Sequence, residues 1–274
     1  MSDQSGSEGI SLKGFTSASH GSEVSSYISA LESFDRLEQM QELKALGHER
    51  TGIHAGARVL DVGCGFALET LRLARLVDPG GFAAGCDLSS DFLAEARRRA
   101  SAAMIDITFQ QAHAEALPYP SQSFEIVWSE RLLIYVPDVA RAASEMRRVL
   151  RAGGHLACIE PDISTSTINL SDRSLVRRVM GNEAETSVAH GWLPGQLGRI
   201  LKTVGFSSIR LATRVVVFSP ELAAAYFAQC GRSAAANGVI SDSELRYWTS
   251  EIETFLNEER IFASVGYFLF TAQA

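Results

Sequence analysis

Two short stretches carry the residues of this chain that are best suited to bind a small molecule. The first runs from Val59 to Gly65, where an apolar run ends in Asp61 and a Gly-x-Gly turn. The second is another apolar run, which ends in Asp87. In an α/β sheet the glycines let the backbone approach a ligand, and the carboxylate that ends the second strand accepts hydrogen bonds from ribose hydroxyls. The spacing therefore predicts a nucleoside site. Because Leu68 occupies the third glycine position, the turn does not match a dinucleotide fingerprint.

A sheet is needed to bring these stretches together, and the pattern of the chain predicts one. From Arg58 onward, strand-like runs alternate with segments of helical periodicity, which is typical of an α/β fold with a doubly wound, mostly parallel sheet. The seven predicted strands cover residues 58–62, 82–87, 108–111, 125–129, 155–160, 208–218 and 265–271. The predicted helices cover residues 70–77, 90–104, 138–150, 196–204, 220–230 and 241–260.

The 274 residues fit one domain with attached elements. Residues 1–22 are rich in Ser and Gly and are predicted to form a flexible tail, whereas 23–274 form the domain. The parts of this domain are N-terminal helices at 23–50, a ligand-binding core at 58–160, a helical lid insertion at 162–195, and C-terminal helices and strands at 196–274. Apolar residues recur every three positions from Leu31, which predicts two shorter helices or one with a break, and Gly47 is the expected C-cap.

Composition limits the classes of function. The chain is 46% hydrophobic and 21% charged, which is typical of a soluble globular protein. Its net charge of −7 disfavours a nucleic-acid partner, because such binding usually needs a basic face. The four cysteines are expected to be buried free thiols, and they and the six histidines lack metal-ligand spacing, so no metal is expected. No secretory core or membrane span is found, so a cytoplasmic location without a membrane partner is expected.

Residues 58–162 resemble a class I S-adenosylmethionine-dependent methyltransferase of the type that includes the ubiquinone and menaquinone biosynthesis enzymes. Five segments match in order: 59–65, 85–89, 112–119, 123–127 with 135–138, and 148–154. The resemblance implies a Rossmann-like fold and S-adenosyl-L-methionine as the cofactor. It also implies a small, partly apolar methyl acceptor in secondary-metabolite or quinone-like biosynthesis, methylated on oxygen, nitrogen or carbon. Beyond Glu160 the likeness is looser, and the oligomeric state is left as monomer or homodimer.

The resemblance also implies residue roles around the glycine turn. Asp61 would face the methionine amino group, unless it only caps a helix, and Asp87 would accept from both ribose hydroxyls. The predicted cofactor-binding residues are Asp61, Gly63, Cys64, Gly65, Asp87, Leu88, His113, Ala114, Glu115 and Ser129.

Two positions depart from the family pattern. The family usually has Asp where this chain has His113, and that Asp accepts a hydrogen bond from the adenine amino group. A neutral His accepts only through its unprotonated ring nitrogen. Either His113 binds adenine in this way, or adenine is left to the backbone amides of Ala114 and Glu115. Phe66 replaces a frequent Thr and either lines the pocket or packs in the core.

The acceptor side is predicted from strand ends and from the lid. Glu130 and Arg131 follow the fourth strand and either orient the acceptor or pair with each other. His190 and Trp192 stand where the insertion returns to the sheet and form a base with an aromatic clamp, or a structural pair. The predicted catalytic residues are His190, Glu130 and Tyr135, and the predicted substrate-binding residues are Tyr27, Arg131 and Trp192.

Two other functions stay open at this point. One is an enzyme on the same scaffold that binds the cofactor without methyl transfer, such as a cyclase. The other is a catalytically idle binding protein, against which the intact Gly63, Gly65 and Asp87 argue. Turnover without release of S-adenosylhomocysteine would indicate the first, and failure to bind cofactor would indicate the second.

Overall fold

The alternating pattern folds into a central sheet with helices on both faces. The computed structural model describes residues 28, 29 and 31–274. Its strands are β1 (Arg58–Val62), β2 (Phe82–Asp87), β3 (Thr108–Gln111), β4 (Phe124–Glu130), β5 (Leu150–Ile168), β6 (Ser207–Val217) and β7 (Ala263–Gln273). They form a seven-stranded sheet in the order β3-β2-β1-β4-β5-β7-β6. Neighbours from β3 to β5 are parallel, while β7 runs antiparallel to β5 and β6. The predicted fold class is therefore confirmed.

The helices begin where the sequence places capping side chains. They are α1 (Glu38–Thr51), α2 (Leu68–Val77), α3 (Ser90–Ala103), α4 (Val139–Val149), α5 (Arg173–Thr186), α6 (Pro194–Thr203), α7 (Pro220–Ala236) and α8 (Asp242–Asn257), and residues 31–35 are also helical. The Ser89 side chain caps α3, Asp172 caps α5 and Ser219 caps α7. Ser241 and Glu244 form a capping box at the start of α8.

Three buried clusters hold the layers together. On one face of the sheet, apolar side chains of α4 and α6 pack on β4 and β5. On the other face, α1 and α2 pack on β1 and β4. The third cluster joins α5, α7 and α8 with the ends of β5 and β7. Burial of β1 and β4 on both faces explains their nearly continuous apolar runs.

Two sequence predictions about element boundaries are wrong. Residues 162–168, assigned to the helical insertion, extend β5, because Thr167 and Ile168 pair with Ser264 and Ala263 of β7. The alternating Ile, Ser and Thr residues of this stretch suit a strand. Gly47 does not end α1; it lies inside the helix, and Gly52, with φ of +64°, is the C-cap.

The described part of the chain contains no helix that is long and apolar enough to cross a membrane. All four cysteines are free and buried, as predicted. Among the described residues, no group of three or more His, Cys, Asp or Glu side chains is placed to hold a metal ion.

Candidate cofactor and acceptor site

A cavity of about 290 Å³ opens at the carboxyl ends of β1, β2 and β4. The strand order reverses between β1 and β4, which is where open α/β sheets bind ligands. The glycine turn after β1 and the end of β2 form one side of the cavity. The opposite side is formed by residues 31–34 and by parts of β5, α7 and β7, with residues 130–136 between the two sides.

The glycine turn leaves room for a ligand beside the backbone. Gly63 has φ of +75°, and its N–H donates to the carbonyl of Cys86 at 2.8 Å. A Cβ atom at Gly63 would lie 2.9 Å from Leu132, so no larger residue fits there. At Gly65, with φ of +50°, no atom lies within 4 Å of the Cβ position. That open space adjoins the cavity and forms a cradle for a bound group.

Asp87 is held in place by the turn and by its own strand end. Its Oδ2 accepts from the N–H of Gly65 at 2.9 Å, and its Oδ1 accepts from the N–H of Ser89 at 2.9 Å. Burial raises the pKa of the carboxyl above its ordinary value, and these N–H groups oppose that rise. Each carboxylate oxygen accepts more than one hydrogen bond, so Asp87 can also accept from two hydroxyls of a ligand in the cavity.

Apolar side chains flank this carboxylate. Phe66 is buried and also lines the cavity, so both uses considered for it from the sequence apply. Its ring meets that of Phe92 edge-on at 6.0 Å between centroids. Leu88, Ala112 and Ala114 line the same side. The surface suits a flat, mostly apolar ring such as adenine.

His113 lines the cavity, and its hydrogen bond fixes which ring nitrogen carries the proton. The N–H of Glu115 donates to Nδ1 at 3.3 Å, so Nδ1 is the acceptor and Nε2 bears the hydrogen in the neutral ring. The exposed nitrogen is then a donor, whereas the sequence argument required an acceptor for the adenine amino group. The Glu115 side chain accepts from the N–H of Asp138 at 2.9 Å and does not line the cavity.

Asp61 lies at the end of β1, buried beside the cavity. Thr70 Oγ1 donates to Asp61 Oδ2 at 2.6 Å. Burial raises the pKa of this carboxyl to about 8, the bond from Thr70 opposes the rise, and the carboxylates of Glu69 and Glu130 add to it. The group can therefore gain or lose a proton near neutral pH.

A buried group of charged side chains, which we call the ion cluster, lies next to Asp61 and was not predicted from the sequence. Its members are Asp35, Lys44, Glu69, Arg72, Glu130 and Arg131. Lys44 is 2% exposed, and its Nζ lies 2.8 Å from Glu130 and 3.1 Å from Glu69. Three carboxylates face three cations, so the charges balance. The available signal was helical geometry, since Lys44 shares the buried face of α1 with Met40, Leu43 and Gly47.

The ion cluster keeps its carboxylates ionised. Burial alone would raise the pKa of Glu69, but the His48 hydrogen bond and the charges of Lys44 and Arg72 lower it to about 2. His48 Nε2 lies 2.6 Å from Glu69 Oε1. These groups bind one another and fix α1 against α2 and the end of β4.

Arg131 stands in the turn after β4 with φ of +50°, an uncommon conformation for a non-glycine residue. Its N–H donates to the carbonyl of Ile159 at 2.8 Å. Glu160 braces the same turn, because its Oε1 accepts from the N–H groups of Leu132 at 3.2 Å and Leu133 at 2.8 Å. Burial raises the pKa of Glu160 to about 7, and these backbone N–H groups oppose the rise. The turn thereby aims the Arg131 side chain into the cavity.

Five aromatic side chains, which we call the aromatic box, line the far end of the cavity: Phe34, Tyr135, Phe218, Tyr226 and Tyr267. The Phe34 ring lies 5.1 Å from that of Tyr267, and the Phe218 ring stacks on that of Tyr226 at 5.7 Å. Burial raises the pKa of Tyr135 and of Tyr267, so both hydroxyls stay protonated at neutral pH.

The structure brings together most of the residues predicted for the site. Those that line the cavity are Asp61, Gly63, Cys64, Gly65, Asp87, Leu88, His113, Ala114, Glu130, Arg131 and Tyr135. Ser129 is fully buried within the sheet and does not line it. Tyr27 lies outside the described residues.

His190 and Trp192 lie away from the cavity, contrary to the prediction of a base and an aromatic clamp there. His190 Nε2 lies 3.0 Å from the carbonyl of Val136, so the ring ties the returning chain to the loop before α4. The Trp192 side chain is 46% exposed. This placement fits the structural alternative considered for the pair.

Comparison with known proteins gives the chain relatives. A methyltransferase-domain family model matches residues 60–158. A demethylmenaquinone methyltransferase of Staphylococcus aureus is 30% identical over 174 residues, which are 58% of this chain and 72% of that protein. The ubiquinone/menaquinone biosynthesis C-methyltransferase UbiE of Hahella chejuensis is 37% identical over 126 residues, 44% of this chain and 49% of that protein. An uncharacterized transposon-encoded protein of Streptomyces fradiae is 29% identical over 204 residues, 74% of this chain and 59% of that protein.

The chain spans less than two thirds of the length of several of these relatives, between 39% and 59%. Two solved structures show the same fold. A methyltransferase from Mesorhizobium loti has a TM-score of 0.53 at 24% identity, over 88% of this chain and 100% of that one. The cyclase SpnF has a TM-score of 0.54 at 24% identity, over 85% of this chain and 80% of that one.

The sheet order and the cradle at its switch point define a nucleoside-binding α/β protein. The family model and the relatives narrow that class further. The chain belongs to the family of S-adenosylmethionine-dependent methyltransferases.

Proposed function

We propose that the protein transfers a methyl group from S-adenosylmethionine to a small, partly apolar molecule in secondary-metabolite or quinone-like biosynthesis. The observation that carries this proposal is one continuous cavity, which joins the Gly65–Asp87 cradle to the aromatic box. A cofactor and a second, mostly apolar molecule would meet inside it. The net charge of −7 supports a small acceptor over a nucleic acid, and a cytoplasmic location is part of the proposal.

The residues around the glycine turn fit this cofactor. When bound, S-adenosylmethionine supplies a methyl group on a positively charged sulfur. Asp87 would accept hydrogen bonds from the ribose hydroxyls, and the apolar side chains beside it would enclose adenine. Asp61 and Glu130 place negative charge where the family binds the methionine amino group. Positioning supplies much of the rate when the leaving group is already good.

The lining residues also limit how a proton can be removed from the acceptor. Glu130 pairs with Lys44 and with Arg131, which makes it a poor base. Tyr135 stays protonated and can donate a hydrogen bond. We therefore assign Glu130 the role of holding Arg131 and Tyr135 the role of orienting the acceptor, and we omit His190 from the catalytic residues.

Calorimetric titration of S-adenosylhomocysteine tests the cofactor part. Wild-type protein should bind it, and Asp87→Ala should weaken binding by roughly 1.5–3 kcal/mol, or at least about tenfold, because a charge-assisted hydrogen bond is lost. Asp91→Ala removes an exposed carboxylate nearby on α3 and should bind as wild type does. Equal affinity in all three proteins would refute the ribose role of Asp87, and absence of binding in the wild type would refute the proposed function.

A turnover assay separates methyl transfer from the cyclase alternative, which the likeness to SpnF keeps in view. Methyl transfer releases one S-adenosylhomocysteine for each product molecule. Product that forms without S-adenosylhomocysteine would identify an enzyme that uses the cofactor as a bound structural group.

A further inference from the structure

Arg131 places a cation at the border between the cofactor cradle and the aromatic box. Its guanidinium lies 3.0 Å from Glu130 and 5.2 Å from the centre of the Phe34 ring. About 19% of the side chain stays accessible, on the cavity wall. A guanidinium has five N–H donors, and a single pairing with Glu130 leaves some of them for a ligand.

The lining carboxylates are all engaged elsewhere. Among the described residues that line the cavity, they are Asp61, Glu69, Asp87 and Glu130. Asp61 is bound by Thr70 and Asp87 by backbone N–H groups, whereas Glu69 and Glu130 pair with cations. None of these four belongs to the aromatic box, so an ammonium group there would meet Arg131 without a carboxylate of its own.

Two further carboxylates lie near the aromatic box without lining it. Glu160 accepts from the backbone of the turn that holds Arg131. Glu183 of α5 lies behind Tyr226 and is hydrogen-bonded by the thiol of Cys230. The groups that face an acceptor are therefore mainly donors.

Ser166 supplies a second polar contact in the same compartment. It belongs to the extended part of β5, is only 6% exposed and lines the cavity. Its Oγ is buried and has no hydrogen-bond partner among the described residues. A buried hydroxyl without a partner is costly, and a ligand oxygen at this position would satisfy it.

The ring geometry selects the shape of the ligand. Phe218 and Tyr226 are nearly coplanar at 12°, and Phe34 and Tyr267 form a second wall. Aromatic walls of this kind favour a flat conjugated molecule that stacks on them. Polar contacts from Arg131 and Ser166 would then fix its orientation.

We propose that the acceptor is a planar, conjugated molecule with an anionic or readily ionised oxygen, such as an enol or phenol, and that Arg131 and Ser166 determine this specificity. The inference rests on the proposed function and names the acceptor class for the same site. Arg131 stabilises the oxygen as an anion, so the acceptor proton can leave to solvent without a dedicated base. The electron pair of the acceptor oxygen, or of the ring carbon conjugated with it, forms the bond to the methyl carbon. The carbon–sulfur bond breaks as this happens, and its electrons remain on sulfur.

Three ring probes of similar size test the charge preference on protein saturated with S-adenosylhomocysteine. Hydroxynaphthoquinone is an acidic enol that is ionised at neutral pH, naphthol is neutral, and naphthylmethylamine is cationic. Calorimetry should rank their affinities in that order. Arg131→Met should weaken hydroxynaphthoquinone binding by about tenfold or more and leave naphthol within about threefold, because only the anion loses a charge-assisted contact. Arg131→Lys keeps the charge and should retain part of the preference.

Ser166→Ala should weaken binding of both oxygen-bearing probes by roughly two- to tenfold, the range for one neutral hydrogen bond. Ser164→Ala removes an exposed hydroxyl of the same strand and serves as the matched control. An amine that binds as tightly as the enol, or an anion preference that survives Arg131→Met, overturns the proposal. If S-adenosylhomocysteine binds but no ring probe does, the acceptor class is wrong while the proposed function stands. If S-adenosylhomocysteine does not bind either, the proposed function fails first.

Discussion

At the scale of single residues, His113 shows how a backbone contact sets ring chemistry. The N–H of Glu115 occupies Nδ1, so the ring offers a donor to the cavity. A donor at Nε2 can bind a ring nitrogen of adenine but cannot accept from its amino group. The side chain therefore does not simply substitute for the Asp that the family usually has at this position.

Removal of the ring gives the first prediction. His113→Ala should weaken S-adenosylhomocysteine binding by about two- to tenfold, as expected for one neutral hydrogen bond. Nitrogen NMR of labelled histidine should show the proton of His113 on Nε2. His54→Ala, which removes an exposed ring outside the cavity, is the control. Unchanged affinity in His113→Ala would mean that the ring does not contact adenine.

A second prediction concerns pH and Asp61. Its pKa of about 8 in the free protein means that the carboxyl is mostly protonated at neutral pH. An ammonium group prefers the ionised form, so binding should release a proton. Affinity for S-adenosylhomocysteine should then rise with pH by up to about tenfold per unit below pH 8 and level off above it. The neighbours Lys44, Glu69 and Glu130 stay charged in this range, because they pair with one another.

Calorimetry across this pH range, in buffers of different ionisation enthalpy, would report both the affinity and the released proton. Asp61→Asn cannot ionise and should bind more weakly with a flat pH dependence. A flat profile in the wild type would exclude Asp61 as the group that meets the ammonium.

At the scale of elements, α1 depends on a glycine in its interior. A Cβ atom at Gly47 would lie 2.5 Å from the buried indole of Trp128, so the helix can approach β4 only with glycine there. Gly47→Ala should destabilise the protein by about 1–3 kcal/mol through overpacking, measured by urea unfolding. Gly181→Ala, at an open position within α5, should instead stabilise by up to about 1 kcal/mol, because alanine is the better helix former. If both variants were more stable, close packing of α1 on Trp128 would be disproved.

The extent of sequence prediction differs between elements for physical reasons. Strands β1 to β3 and the capping box of α8 follow from apolar runs and turn chemistry close in sequence. The full length of β5 does not, because its last residues are held as strand by β7, almost a hundred positions away. Gly47 was misassigned for the same reason, since its neighbour Trp128 belongs to another part of the chain.

At the scale of the whole molecule, the ion cluster joins segments that are distant in sequence. Lys44 of α1 compensates Glu69 of α2 and Glu130 of β4. Lys44→Met leaves these buried carboxylates with less positive charge and should lower the free energy of unfolding by about 3–5 kcal/mol. Arg98→Ala breaks an exposed pair with Glu95 and should change it by less than about 1 kcal/mol.

Urea unfolding measures both variants, and the double variant Lys44→Met with Glu130→Gln should recover part of the loss. A small effect of Lys44→Met would indicate that the carboxylates are hydrated or protonated. The glycine turn and Asp87 were predictable because they form a local motif, whereas the ion cluster, the aromatic box and Ser166 were not, because their members meet only through the fold.

The balance of charge in the ion cluster also bears on inheritance. Asp35, Lys44, Glu69 and Glu130 lie in separate stretches of the chain, yet a change at any one leaves a buried charge unmatched at another. Descendants of this protein should therefore keep the four residues together or lose them together. A lineage that exchanged Lys44 for an apolar residue would be expected to carry a neutral residue at position 69 or 130 as well.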